Sequence, residues 1–531
     1  MRSMFVVALL AGAAFSTLAM AQSDPARIID EGLNRSQAML AASELMDGIG
    51  GRLTGSDNLR KAEDWAVAKM QSYGLSNVRK EPFNFGRGWN LGSYSARMVA
   101  PRPIQMTAIP VAWTPGTNGV LRAPVIVAPI SKRENFAAWR GKLNGKIVMI
   151  SLPSTSSEPD KAAFQRLDKA DIARRDEFRL PTYDPATAAL RAERRGFGKE
   201  LDAFLKSEGA VAVVKESYRD GMLVHGEGYT YAAGDTPALP VWEVAAEDYR
   251  RLARLAKTGN APVIELESQV RWNDSNPNAN NIIGEIPGSD RNAGYVMAGA
   301  HFDSWVAGDG ASDNGAGSIV VLEAARILRT LGVRPKRAIR FALWEGEEQG
   351  LLGSRAYIEQ HYVSRPVDPS LDGLSAYYAW SDAYPITKKP EYDQLKAYFN
   401  LDNGSGKIRG IHAEQNSAAE PILGDWMRPY NALGAESVVI GKTGGTDHVF
   451  MQAVGLQGYQ FIQDPLDYGS RVHHSNLDTL DHMRGDDIRQ AATVMAGMLL
   501  AAANSDTVLP RPPLPTRPAV TDPFAYQDPN K

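Results

Sequence analysis

The chain has 531 residues, 44% of them apolar and 22% charged, with a formal net charge of −3. Such a length exceeds what one hydrophobic core organises, so two folded domains are expected. The near-neutral balance, without a basic block or an acidic tail, gives no ground for nucleic acid or a charge-driven partner. Cysteine is absent, which excludes disulfides, thiolate metal sites and a cysteine nucleophile, and leaves His, Asp and Glu to hold any metal.

Residues 1–21 combine a basic start at Arg2, an apolar stretch from Phe5 to Leu18 and the small-x-small site Ala19-Met20-Ala21. This reads as a secretory signal, and so predicts a secreted protein, periplasmic or extracellular, with no membrane attachment after cleavage. Residues 22–115 form the first part of a domain that an insert interrupts, beginning with helices on either side of the glycine-rich "GIGGRLTGS". From 116 to 271 short β segments such as "APVIVAPI" and "GKIVMISL" predict an inserted β-rich domain. That region carries a charged excursion, Ser156 to Lys206, read as a solvated helical face without functional weight. Residues 272–505 alternate strands (295–300, 338–344, 396–401, 456–462) with helices (315–331, after Gly350, 418–433, 486–504). Alternation of this kind predicts an α/β fold with a central, mostly parallel sheet flanked by helices. The Pro-rich tail, 506–531, should be extended or disordered.

The chemistry concentrates where apolar strands end, the edge at which such sheets collect ligands. "HFDSWVAGDGASDNGAG" (301–317) puts one histidine and three aspartates between a strand and a helix, and aspartates there are ordinarily caps. Four more strand-end clusters follow: Glu347 and Glu348, Asp402, Asp447 with His448, and His473 with His474. Burying so many carboxylates together without cations would be prohibitive, which favours metal over capping. If Asp313, Glu348 and Asp402 are ionised ligands and His301 and His474 neutral ones, the protein supplies three negative charges against four from two divalent ions. One hydroxide would then bring the site to neutrality. Nitrogen and oxygen ligands without thiolate suit zinc, with cobalt or manganese as substitutes.

His301-x-Asp303, Ser312-Asp313-Asn314-Gly315, Trp344-x-x-Glu347-Glu348, Asn400-Leu401-Asp402 and His474-Ser475-x-x-Asp478-Thr479 together resemble the co-catalytic zinc exopeptidases of the leucyl aminopeptidase and glutamate carboxypeptidase type. "LGVRPKRAIRFALWEGEEQG" and "HHSNLDT" narrow the likeness to the carboxypeptidase Q branch. The resemblance implies a metallo-exopeptidase holding two Zn2+ ions per chain and acting on short peptides or dipeptides with metal-activated hydroxide. It implies that Asp313 bridges the ions, His301 and Asp402 complete one site, and Glu348 and His474 the other. Glu347 would be the general base, Asp303 would orient His301, His448 would lie near the substrate carbonyl, and the insert would be a protease-associated domain. The register selects His474 over His473, while Asp309 reads as a turn residue and Glu345 as a solvated acid. His225, His361, His412 and His482 fall in no motif.

Two other classes stay open: a glutaminyl cyclase-like transferase with one zinc, and a non-catalytic receptor-like relative lacking the full ligand and base set. Aminopeptidase and carboxypeptidase or dipeptidase specificities are not separated by the motifs, nor is a monomer from a homodimer. Lys442 could meet a substrate carboxylate or simply be solvated. The aromatic segment 374–394, with Tyr377, Tyr378, Trp380 and Tyr384, is expected to pack, walling the substrate pocket or docking on its own domain or a second subunit, and Trp380 is expected to affect substrate binding rather than stability.

Overall fold

The computed structural model describes residues 23–157, 159–179, 186–371, 376–377 and 379–517. The expected signal segment, Tyr378 and the end of the tail lie outside them. Among the described residues no helix is long and apolar enough to cross a membrane.

The larger domain is built on an eight-stranded mixed sheet. Its strands are β1 (Ser76–Asn84), β2 (Asn278–Ile286), β3 (Tyr295–His301), β4 (Ala338–Trp344), β5 (Leu395–Asn400), β6 (Ile408–His412), β7 (Ser437–Val439) and β8 (Gly458–Gln463). Across the sheet they run β1-β2-β4-β3-β5-β8-β6-β7. Every residue of β3 is buried, as a central strand covered on both faces requires, which is why it reads as an uninterrupted apolar run. Strands β4, β3, β5 and β8 are parallel, and their register aligns His301 with Trp344 and Gly299 with Asn400. That register brings three of the predicted clusters to one edge.

Helices cover both faces. On one side Ala316–Thr330 and Gly485–Asn504 pack with Asp24–Asn34 and Ala38–Met46 in a core containing Ile28, Leu45, Ile319, Val320 and Met495. On the other, Leu352–His361 and His448–Gln452 join a core of Tyr357, Ile358, Trp380, Phe450 and Met451. Trp380 is therefore core rather than pocket wall, with Phe450 edge-on at 5.2 Å and the Arg365 guanidinium 4.4 Å from its ring centre. The described part of the tail is extended and pinned: Arg511 pairs with Asp393, and Leu509 is buried.

The chain leaves the catalytic sheet after β1 and returns at β2. Between them lies a second eight-stranded sheet, which takes in Gly88–Ala100, Ala108–Pro110, Leu121–Val127, Ile147–Met149, Ala212–Glu216, Val241–Val244 and Val263–Asn273. Its strands thus begin at Gly88, earlier than the change of composition at 116. Its four successive strands from Leu121 to Val244 pair in parallel, so the insert is α/β rather than simply β-rich. Aromatic packing seals the two domains: Phe85 stacks on Tyr231 at 4.6 Å, and Trp113 meets Trp305 edge-on.

The charged excursion does not point into solvent throughout. Leu167 and Ile172 bury against Val439 and Ile462 of the catalytic sheet. Arg166 pairs with Asp464 and Asp487 at 2.8 Å each, and Leu167 N–H donates to Asp464. A mixed-sign sequence hid this because only two apolar residues make the contact.

Candidate active site

At the carboxyl ends of β3, β4 and β5 the predicted clusters converge. Asp313 sits between two imidazoles: Oδ1 is 3.2 Å from His301 Nε2, and Oδ2 is 3.1 Å from His474 Nε2. Asp402 Oδ1 lies 3.4 Å from His301 Nε2, and Glu348 Oε2 lies 2.9 Å from His474 Nε2. His473 is nearby too, its Nε2 3.6 Å from Asp313 and its ring stacked on His474 at 3.7 Å. Two donor groups therefore share Asp313: His301 with Asp402, and the His473–His474 pair, the second flanked by Glu348.

The turn holding Asp313 answers whether its acids are caps. Asn314 does the capping, its Oδ1 accepting from Gly317 N–H at 2.8 Å and its Nδ2 donating to Leu401 O at 2.9 Å. A Cβ on Gly317 would lie 2.4 Å from both Asn314 Oδ1 and Leu401 O, so only glycine fits there. Asp313 is left to face the histidines. Its own N–H and that of Ser312 are held by Asp478, at 3.0 and 2.6 Å. The loop before it is fastened by fully buried Arg52, which donates to the carbonyls of Phe302, Asp309 and Gly310. Asp309 is thus a loop residue, as expected.

Asp303 holds His301 chiefly through its main chain, whose carbonyl lies 3.0 Å from Nδ1 while the nearer carboxylate oxygen is at 3.7 Å. The carboxylate is instead spent on the acid pair: it accepts from Glu347 N–H at 3.2 Å, Glu348 N–H at 3.3 Å and Thr54 Oγ1 at 3.0 Å. Three residues depart from expectation. Glu345 is buried, accepting from Asn280 N–H at 2.8 Å, and burial together with Glu63 raises its carboxyl well above the usual range. His448 is buried with its Nε2 3.2 Å from Glu414, and the cavity wall beside it is made by Gly444, Gly445 and Thr446 instead. Trp380 gives way to Tyr377, whose hydroxyl donates to Gly350 O and which does line the cavity.

The electrostatics call for positive charge. Burial works against a charged His301, yet Asp402, Glu347, Asp303 and Asp313 raise its pKa well above the ordinary imidazole value. His474 is also raised, by Glu348, Asp313 and Glu227 against the same burial. Burial lifts Glu348 to about 7, helped by Asp313, and lifts Glu347 well above the usual carboxylate range, helped by Asp402, Glu348 and Asp447. Buried oxygens of Asp313, Glu348 and Asp402 lack hydrogen-bond partners. Buried polar atoms are nearly always satisfied, so converging orphaned carboxylate oxygens beside imidazole nitrogens fit divalent cations of the zinc type.

These groups floor a cavity of 840 Å³. The insert supplies part of its wall through Tyr229 and the exposed Arg194. An adjoining cavity of 390 Å³ shares Asn403 and Tyr468 with it and is lined by Lys442 with Arg174, Arg175 and Arg179 of the excursion. Lys442 itself is exposed.

Residues 281–499 match the model of peptidase family M28. Carboxypeptidase Q of Bos taurus is 28% identical over 483 residues, covering 90% of this chain and 87% of that one. Aminopeptidase YwaD of Bacillus subtilis is 27% identical over 371 residues, covering 68% and 72%. Among solved structures, a peptidase M28 precursor from Shewanella amazonensis superposes with a TM-score of 0.65 at 26% identity, covering 93% of this chain and 98% of that one. A zinc aminopeptidase from Bacillus subtilis shares the fold at a TM-score of 0.55 and 21% identity. With the matched region spanning every strand-end cluster from His301 to His474, this chain is a metallo-exopeptidase whose residues 281–499 are similar to peptidase family M28.

Proposed function

We propose that the protein is a secreted, dinuclear zinc exopeptidase that hydrolyses short peptides, with an inserted protease-associated domain. The observation carrying this reading is Asp313 facing two separate imidazoles with its two oxygens. His301 and Asp402 would complete one site, Glu348 and His474 the other. When bound, such a pair polarises a scissile carbonyl and acidifies water at neutral pH.

The chain's own residues do the rest. Glu347 faces the cavity beside the Glu348 ligand position, on a turn fixed by Asp303. It takes the proton of the attacking water and passes it to the departing nitrogen. Water is the nucleophile, so no acyl-enzyme forms. The presence of Glu347 next to a complete donor set speaks against both the one-zinc transferase and the non-catalytic relative.

For substrate ends, the cavity wall favours carboxylate recognition. Among the described lining residues its carboxylates are Asp313, Glu347, Glu348 and Asp402, all assigned above, and its one guanidinium is Arg194. A peptide bound with its amino end on spare acids finds none, whereas a free carboxylate meets Arg194. We therefore favour a carboxypeptidase or dipeptidase over an aminopeptidase. Dipeptides with free and amidated carboxyl ends test this directly: the free series should be cleaved with the higher kcat/KM. Equal cleavage of amides would restore the aminopeptidase reading. Metal analysis at neutral pH should find two zinc ions per chain.

A further inference from the structure

We propose that Glu227, a residue of the inserted domain, is a positioning residue that orients His474 for the metal it shares with Glu348. The inference rests on the dinuclear reading above.

The two histidines of the site are held in different ways. His301 keeps its Nδ1 against the carbonyl of Asp303, two residues along its own chain. His474 reaches across the domain boundary, its Nδ1 lying 2.7 Å from Glu227 Oε1, 247 positions earlier in the sequence. Its other nitrogen faces Glu348 and Asp313. A carboxylate accepting from Nδ1–H fixes the tautomer that leaves Nε2 free to ligate, and it raises the basicity of that nitrogen. The His474 ring has little else to hold it in the plane this needs: His473 stacks on one face, and Trp305 meets it edge-on at 6.2 Å.

Glu227 is itself held. Tyr218 Oη donates to the same Oε1 at 3.1 Å, and Lys215 Nζ donates to the Glu227 carbonyl at 3.2 Å. The surrounding stretch of the insert also grips the loop that carries the ligand. Arg219 donates to His473 O at 2.9 Å, Asn476 N–H to Val224 O at 3.0 Å, and Val224 N–H to Asn476 Oδ1 at 3.1 Å. Three contacts to residues 473–476 place the loop, and Glu227 places the ring. One metal position is thereby completed by the insert, while the other is built from the catalytic domain alone.

The test is zinc affinity, read by competition with a chromophoric chelator on the full chain, with cobalt-substituted protein giving an absorption signature of each site. In Glu227→Ala one of two ions should bind roughly 10 to 100-fold more weakly and the other as in the wild type. Only part of the cobalt spectrum should change. Glu227→Gln retains size and an acceptor oxygen but not the charge, so it should give a smaller loss at the same ion. Wild-type affinity for both ions in both variants would overturn the proposal. So would an equal weakening of both ions in Glu227→Gln, which would mark a general disturbance rather than an oriented ligand. If Glu227→Ala does not fold, Glu227→Gln alone decides. A wild-type chain that binds a single ion would refute the dinuclear reading instead, and Glu227 would then be judged on that ion by the same criterion.

Discussion

Replacing Glu347 by glutamine keeps the side chain's size and removes its capacity to accept a proton. The structure sets what this should and should not disturb. The Glu347 main chain is pinned by Asp303, which also pins Glu348, so Glu348 stays in place. The Glu347 carboxyl is raised far above its usual range by burial and by Asp402, Glu348 and Asp447, so it is a strong proton acceptor once ionised. General base catalysis contributes roughly 10² to 10⁴-fold, or about 2.7 to 5.4 kcal/mol of barrier. The upper half of that range is expected here, because among the described lining residues no other unassigned carboxylate is available to take over. Turnover of a free dipeptide, measured beside zinc content by elemental analysis, should show kcat falling by about 10³ to 10⁴ with KM nearly constant and two ions retained. Loss of metal along with activity would mean that Glu347, not Glu348, is the ligand. Full activity with full metal would remove the proton-shuttle role altogether.

Asp313→Ala takes away the carboxylate that faces both histidines and should leave less than one tightly held zinc per chain by elemental analysis; retention of two would rule out bridging. Trp380→Ala should destabilise the fold by roughly 3–5 kcal/mol in urea denaturation with kinetics per folded molecule unchanged. Tyr377→Ala should raise KM and leave stability nearly intact, and the reverse pattern would restore Trp380 as a pocket wall. Glu81 and Glu391, each 2.9 Å away, raise His361 to about 9 against the opposing effect of burial. Because its folded value lies above the unfolded value of about 6.5, the stabilisation is complete below about pH 6.5 and lost as pH rises through about 9. His361→Gln should therefore cost stability at pH 6 and little at pH 10, and an equal cost at both would show that charge is not the contribution.

The strand ending at His301 was legible because it is buried on both faces and so appears as an unbroken apolar run, and the strand ending at Trp344 because only Arg340 interrupts its apolar residues. The convergence of these side chains was legible because His, Asp and Glu just beyond such runs have few structural uses. What the sequence concealed depends on distant contacts. Arg52 and Thr54 lie in a loop whose glycines announce a turn, yet their partners stand some 250 residues away at Phe302 and Asp303. Asp478 looks like part of a histidine motif and serves as the acceptor for Ser312 and Asp313. Glu345 beside Glu347 and Glu348 reads as one more exposed acid, and its burial follows only from the pairing of β2 with β4, which brings Asn280 and Asn281 alongside. Trp380 and Tyr377 carry the same aromatic signal, and three-dimensional packing alone separates core from wall.

The docking of residues 166–172 has a consequence for what can enter. The insert departs from β1 and β2, which form one border of the catalytic sheet, and its excursion lands on Val439 of β7 and Ile462 of β8 near the other. Seven inter-strand spacings of about 4.8 Å put those borders roughly 34 Å apart along the sheet, and Tyr229 and Arg194 of the insert line the cavity at the strand ends between them. A roof fastened at both ends cannot swing about a single hinge; opening it would break the Arg166 pairs and expose Leu167 and Ile172. The insert is therefore tied to the larger domain at both borders of the sheet, and any movement that widens the cavity carries the cost of those buried contacts.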